Sequence, residues 1–234
     1  MKIFCVTDKN AYKTLANDCI ASFKKNNLEI EKFNSVPISD LEKVAKENGT
    51  FLKYSDSKLS RGSDFEKRLC PIWRISNGLT HYLIYKWSVE HNVAVCILES
   101  DAIISGKLPE PIDDGIIQIS SHKGNQLSAQ SLFTSGRSRK FKNAEPEKYK
   151  EWESNYDYKC LDNQKGVIKH PLTGTIGTSG YIVGPQAAKK LVEYFSTDGI
   201  GFADRVREDH IGEGNLYLQV PQSVLVPRHG YYKE

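Results

Sequence analysis

The sequence predicts an α/β fold in which a mostly parallel central sheet is flanked by helices. Three observations carry this prediction. Strand-like apolar runs alternate with helix-periodic segments through the first half of the chain. Residues 93–98 are apolar without interruption, as suits a parallel strand buried on both faces. A further strand–helix unit begins at Gly180. Alternation of this kind is the pattern of sheets covered by helices.

Residues 2–7 read as a buried strand. Behind it Tyr12, Leu15, Ala16, Cys19, Ile20 and Phe23 recur at the i, i+3, i+4, i+7, i+8 spacing that gives a helix one apolar face. A short strand is expected around 29–33. Ser39 and Glu42 have the spacing of a capping box, opening a helix that stops at Gly49. Residues 53–71 are polar and aperiodic and read as a loop. A helix from about 73 to 90 follows, with Ile75, Leu79, Leu83 and Trp87 on one stripe, and it leads into the strand 93–98.

Residues 116–119 form another short strand. From 121 to 175 the chain is polar and rich in Ser, Lys and Asn, with one helix-like stretch near 145–153. Residues 180–184 return to strand. Pro185 stands where proline suits the first turn of a helix, whose face carries Ala188, Leu191, Val192 and Phe195. A short helix near 203–211 and strands at 216–220 and 223–226 complete the pattern.

With 234 residues the chain suits one good-sized domain better than two. Its 39% hydrophobic and 26% charged residues exclude an extended disordered chain. A net charge of +3 does not by itself call for nucleic acid. The opening apolar run is too short for a signal peptide, and no run reaches the length that spans a bilayer. The cysteines at 5, 19, 70, 96 and 160 are odd in number and lack CxxC spacing. Cys5, Cys19 and Cys96 lie inside apolar patterns and are expected to be free core thiols, so the protein is expected to be cytoplasmic and reduced.

The apolar strand ends abruptly at Glu99-Ser100-Asp101. In open α/β sheets ligands bind beyond the carboxyl ends of strands. Two carboxylates one residue apart on a turn can face one hard cation, and such cations commonly bridge substrate phosphates. The same turn would also arise if the acids only capped it or stayed solvated.

Two blocks of sequence give the turn a context. Trp73 to Tyr85 followed by Val93 to Ala102, with Thr80-His81-Tyr82 and Leu98-Glu99-Ser100-Asp101-Ala102, resembles the family 25 glycosyltransferases, the lipooligosaccharide-type and collagen-type galactosyltransferases. The block Gly177 to Pro185, continuing to Ala188 and Leu191, is similar to a second motif of that family. The resemblance implies a glycosyltransferase-A fold over 1–234. Residues 1–105 would form a Rossmann-like half that binds nucleotide-sugar, and 106–234 an acceptor-binding half. It also implies a nucleotide-sugar donor, a uridine-diphosphate sugar, and a divalent ion, Mn2+ or Mg2+. On the family pattern Asp101 is the principal metal ligand, and Glu99 holds the metal or the donor ribose. Ser100 departs from the pattern by replacing a carboxylate, and Cys5-Val6-Thr7-Asp8-Lys9 departs from the family's usual opening.

Other candidates have competing readings. Thr7 and Asp8 follow the first strand, where such a fold receives the base and ribose; Asp8 or Asn10 would equally cap the next helix. Arg61, Arg68 and Arg74 flank the motif helix, and a guanidinium there suits diphosphate oxygens, Arg68 and Arg74 best. His81 lies off the apolar stripe and is either a ligand contact or a packed histidine. Near the end, Asp204, Glu208 and Asp209 are candidates for the general base of an inverting transfer, with Asp209 favoured beside His210. Arg205 with Asp209 would also form an ordinary i, i+4 ion pair. His210 and His229 are the two candidates for a late histidine ligand to the metal.

The most basic stretch, residues 135–142, suits an anionic acceptor, either saccharide or DNA, or is simply a solvated loop. The function expected is therefore metal-dependent transfer of a sugar to an acceptor hydroxyl, by default on a bacterial lipopolysaccharide or oligosaccharide. Bacteriophage-type glycosylation of a hydroxylated DNA base is the alternative acceptor. A metal-dependent nucleotide-sugar hydrolase and an inactive binding module are the rivals from other classes.

Overall fold

The computed structural model describes residues 1–7, 13–53, 64–121, 166–169, 179–201, 211–212, 215–220 and 223–225. The chain starts with β1 (Lys2–Thr7), α1 (Lys13–Lys25) and β2 (Glu31–Asn34). A 3-10 turn (Ile38–Asp40) runs into α2 (Leu41–Glu47), and α3 (Asp64–His91) leads to β3 (Val95–Glu99). Among the described residues, short strands come next: β4 (Ile103–Ile104), β5 (Ile116–Gln118), β6 (Ser120–Ser121) and β7 (Gly166–Lys169). Then come β8 (Gly180–Val183), α4 (Pro185–Asp198), β9 (Leu216–Val220) and β10 (Val224–Leu225).

Seven strands form one sheet in the order β2-β1-β3-β8-β5-β9-β7. β1 pairs in parallel with both β2 and β3, and β5 pairs in parallel with β9. β8 lies antiparallel between β3 and β5, and β7 is antiparallel to β9. Five strands therefore run one way and two against them, which is the α/β architecture expected. A smaller sheet joins β4, β10 and β6.

β3 shows why its sequence is apolar throughout. Val95 and Ile97 enter one core cluster, built with Phe4, Val6, α3 and α4. Cys96 and Leu98 enter another, built with Ile3, Cys5 and the Ala16, Cys19 and Phe23 face of α1. Alternate side chains of one strand thus serve both faces of the sheet, and each large buried aliphatic contributes roughly 1.5–3 kcal/mol.

α4 starts at Pro185, as the sequence predicts, and buries Ala187, Ala188, Leu191 and Phe195, with Val192 half-buried beside them. Its first turn is anchored by the Asp113 carbonyl, which accepts from the amides of Gln186 (3.0 Å) and Ala187 (3.2 Å). Gly184 is required there: a Cβ would lie 2.0 Å from the Ile112 carbonyl oxygen. Gly49 ends α2 with a φ of 72°, a conformation that favours glycine.

Four expectations need correction. Ser39 does not cap α2. The 3-10 turn places Asp40 in the cap position, no side chain caps the helix, and Ser39 Oγ donates to Asp40 Oδ1 instead (3.0 Å). Residues 64–71, read as loop, belong to α3, which continues through Pro71. One missing N–H did not end a helix whose next turns are buried. The apolar stripe of α3 is also wider than four residues. Leu83 and Trp87 are half-buried, while His81, Tyr82, Ile84 and Tyr85 are buried because α2, α4 and the sheet cover several faces of the helix. Finally β7 lies within the stretch read as irregular. It is an edge strand with Gly166, Val167 and Lys169 exposed, so it shows no alternation. The helices expected near 145–153 and 203–211 lie outside the described residues.

Cys5, Cys19 and Cys96 are buried free thiols, as expected; Cys70 and Cys160 lie outside the residues whose side chains are described. Among the described residues no helix is long and apolar enough to cross a membrane.

Candidate active site at the end of β3

β1, β3 and β5 point the same way, so Thr7, Glu99 and Gln118 come to one edge of the sheet. Val6 stands opposite Glu99 in the β1–β3 register. Beyond Glu99 the chain turns at once. The Ala102 amide donates to the Glu99 carbonyl (3.0 Å), closing a four-residue turn through Ser100 and Asp101. Residues 99–101 are all half-buried. Thr7 is buried at the end of β1, where its hydroxyl donates to Asn34 Oδ1 (3.4 Å) and its carbonyl accepts from the Ser35 amide (2.8 Å).

Glu99 is held from two sides. Asn77 Nδ2 of α3 donates to Glu99 Oε1 (3.3 Å), and Ser179 Oγ, just before β8, donates to Glu99 Oε2 (3.3 Å). The backbone repeats the link: the Glu99 amide donates to the Ser179 carbonyl (3.1 Å).

This contact is the outer end of a longer polar seam. Asn77, His81 and Tyr85 follow one another at four-residue spacing on α3, and Ser179 and Tyr181 at two-residue spacing on β8, so each set shares a face. The Tyr181 hydroxyl lies 2.5 Å from His81 Nδ1 and 2.6 Å from the Tyr85 hydroxyl, and all three side chains are buried. The His81 and Tyr181 rings stack with centroids 5.8 Å apart. His81 Nε2 has no hydrogen-bond partner among the described residues.

Burial sets the protonation of the seam. It lowers the pKa of His81 to about 3, so the imidazole is neutral. Burial raises Tyr85, against a lowering hydrogen bond from Tyr181. Tyr181 is raised well above its ordinary value, first by burial and then by Tyr85, with the Glu99 charge adding to the effect. The seam is therefore a set of neutral groups that ends in one carboxylate at the site.

Asp101 acts on the other face of the sheet. The Cys5 and Cys19 thiols share a hydrogen bond that lowers Cys5 and raises Cys19, and the Asp101 charge works to raise both. Both thiols belong to the cluster under α1, whereas Tyr181 belongs to the cluster under α3 and α4.

The sheet brings Thr7, Glu99 and Asp101 to one edge. Arg74 is exposed on α3; Arg68 lies on the same helix, its side chain outside the described part. His81 is a packed histidine of the seam. Asp8, Arg61, Asp204, Glu208, Asp209, His210, His229 and residues 135–142 lie outside the described residues. Sequence reasoning missed Asn77, Tyr85 and Ser179. The available signal was Asn77, His81 and Tyr85 at four-residue spacing on α3.

Among the described residues no group of three or more His, Cys, Asp or Glu side chains is arranged to hold a metal ion. Glu99 and Asp101 are nevertheless hard oxygen donors. They fit an ion such as Mg2+, which typically takes one or two carboxylates and fills its shell with water and substrate phosphates.

The model of one protein family, Glycosyltransferase family 25 (LPS biosynthesis protein), matches residues 13–204. The match spans most of the chain and includes α3, the acidic turn, the seam and α4. No curated protein matches the sequence.

Proposed function

The chain belongs to glycosyltransferase family 25, described as LPS biosynthesis, and from that premise we propose that it transfers a sugar from a uridine-diphosphate donor to a hydroxyl of a bacterial saccharide. The observation that carries this reading is the Glu99-Ser100-Asp101 turn at the carboxyl end of β3, where open α/β sheets bind their ligands.

Asp101 and Glu99 would hold a divalent ion, Mn2+ or Mg2+, with His229 or His210 as a further ligand. Such an ion supplies charge neutralisation at a diphosphate leaving group. Thr7 stands one strand away from Glu99, and with Asp8 it is the proposed contact for base and ribose. Arg68 and Arg74, on the helix that also supplies Asn77, are proposed to pair with diphosphate oxygens. Asp209, or Asp204, would take the proton from the acceptor hydroxyl. Three buried thiols without disulfides suit a reducing compartment, so we place the protein in the cytoplasm.

The test is nucleotide release from uridine-diphosphate sugars with Mn2+, measured against a panel of bacterial saccharides and hydroxylated-base DNA. Saccharide-dependent release supports the reading. Release that no acceptor accelerates would make the protein a hydrolase, and dependence on DNA alone would replace the acceptor. Asp101→Asn is expected to abolish metal-dependent turnover while the fold persists; near-normal turnover would remove Asp101 from the site.

A further inference from the structure

We propose that Asn77 and Ser179 are positioning residues that fix the carboxylate of Glu99 for ligand binding at the acidic turn. The inference rests on the reading of that turn as the donor site.

A glutamate at the end of a strand has free side-chain rotors, and a half-buried carboxylate on a turn would ordinarily sample several of them. Here each oxygen has its own neutral donor, Asn77 Nδ2 on Oε1 and Ser179 Oγ on Oε2, both at 3.3 Å. The donors come from different elements and approach from different sides. Two single-point contacts of this kind fix the plane of the carboxylate as well as its position. Neither of these two donors carries charge, so they orient the carboxylate without neutralising it. Each carboxylate oxygen also has acceptor capacity for more than one hydrogen bond.

The donors are themselves anchored. Asn77 is one turn of α3 before His81, and Ser179 is two residues before Tyr181, so both sit beside the buried His81–Tyr181–Tyr85 bonds. The Ser179 carbonyl also accepts from the Glu99 amide (3.1 Å), which fixes the two backbones against each other. Groups that orient a binding carboxylate in this way typically matter about 10–100-fold in affinity or activity.

The experiment measures uridine diphosphate binding in the presence of Mn2+ by calorimetry. The wild type is compared with Glu99→Gln, Ser179→Ala, Ser179→Thr and the double variant Asn77→Ala/Ser179→Ala. Thermal melting of each variant reports its fold. The double variant is expected to weaken binding about tenfold, and adding Glu99→Gln should weaken it little further, because both changes act through one carboxylate. Ser179→Thr keeps a hydroxyl and should restore most of the loss seen in Ser179→Ala. Weakened binding in Glu99→Gln with wild-type binding in the folded double variant would overturn the positioning role alone. Wild-type binding in Glu99→Gln, or no binding by the wild type, would overturn the donor-site reading and this inference with it.

Discussion

The two faces of the large sheet are packed by different chemistry. Under α3 and α4 the core contains buried Tyr82, Tyr85, Tyr181 and His81, whose hydroxyls and imidazole Nδ1 are directed by hydrogen bonds. Under α1 the buried cluster is aliphatic, phenyl and thiol: Ile3, Cys5, Cys19, Phe23, Cys96, Leu98 and their neighbours. On the polar face a misplaced side chain leaves a buried hydrogen bond unmade, which costs about 1–3 kcal/mol. The apolar face is held by contact area, which tolerates small shifts. The acidic turn lies at the end of β3, the strand that serves both faces, and Glu99 is tied to the directed one by Asn77 and Ser179.

The sharpest test of that contrast uses two glycines. A Cβ at Gly78 of α3 would lie 2.1 Å from the Gly201 carbonyl oxygen, a backbone atom rather than a side-chain tip. Gly78→Ala should cost about 3 kcal/mol or more in urea unfolding. At Gly180 the new atom would meet side chains, Ser120 Cβ at 3.1 Å and Leu98 Cδ2 and Val224 Cγ1 at 3.3 Å. Gly180→Ala should cost about 1 kcal/mol or less, since these can yield. Equal costs would break the distinction between a rigid and a compliant face.

Acid should act on the directed face. His81 has its pKa lowered to about 3 by burial, while the unfolded chain takes up that proton near 6.5. Between these values the unfolded state binds more protons, so stability present above 6.5 is lost as the pH falls toward 3. The slope reaches about 1.4 kcal/mol per pH unit. His81→Gln removes this term, so its stability gap from the wild type should narrow on acidification. A gap that stays constant with pH would show that folded His81 carries its proton.

The smallest effects compare one buried side chain from each face. Tyr181→Phe leaves His81 Nδ1 and the Tyr85 hydroxyl each short of a partner and should cost about 1–3 kcal/mol. Cys96→Ala removes only a small apolar group and should cost about 1 kcal/mol. A larger loss from Cys96→Ala would reverse the comparison.

Much of the apolar framework could be read from the sequence, because burial leaves a periodic trace. Val95 to Leu98 had to be apolar on both sides, and Pro185 followed by Ala188 and Leu191 marked α4. β7 left no such trace, since it buries little on either face. The start of α3 was hidden by Pro71, and the first turn of α2 by a 3-10 turn that shifted the cap by one residue. The acidic turn was visible because strand ends concentrate ligand sites. Asn77 and Ser179 were not, because what gives them meaning is their contacts with Glu99, 22 and 80 residues away in the chain, which no local pattern encodes. The pair His81 and Tyr181 shows the same thing from the other side. Each belongs to one of the two blocks that carried the family resemblance, and the fold joins them by a hydrogen bond and a ring stack.

The position of β8 has a consequence for the order in which the protein can be made. It fills the slot between β3 and β5, yet it is translated after both. A nascent chain that has not reached residue 180 therefore holds two strands whose facing edges have no neighbour, and open edges are templates for wrong pairing. His81 and Tyr85 wait equally long for Tyr181. One four-residue strand supplies the missing neighbour of β3 and β5 and the hydroxyl that bonds His81 and Tyr85 together. The slot between β3 and β5 is thus filled only at Gly180–Val183, well after the acidic turn has been made, and β9, the other neighbour of β5, follows later still.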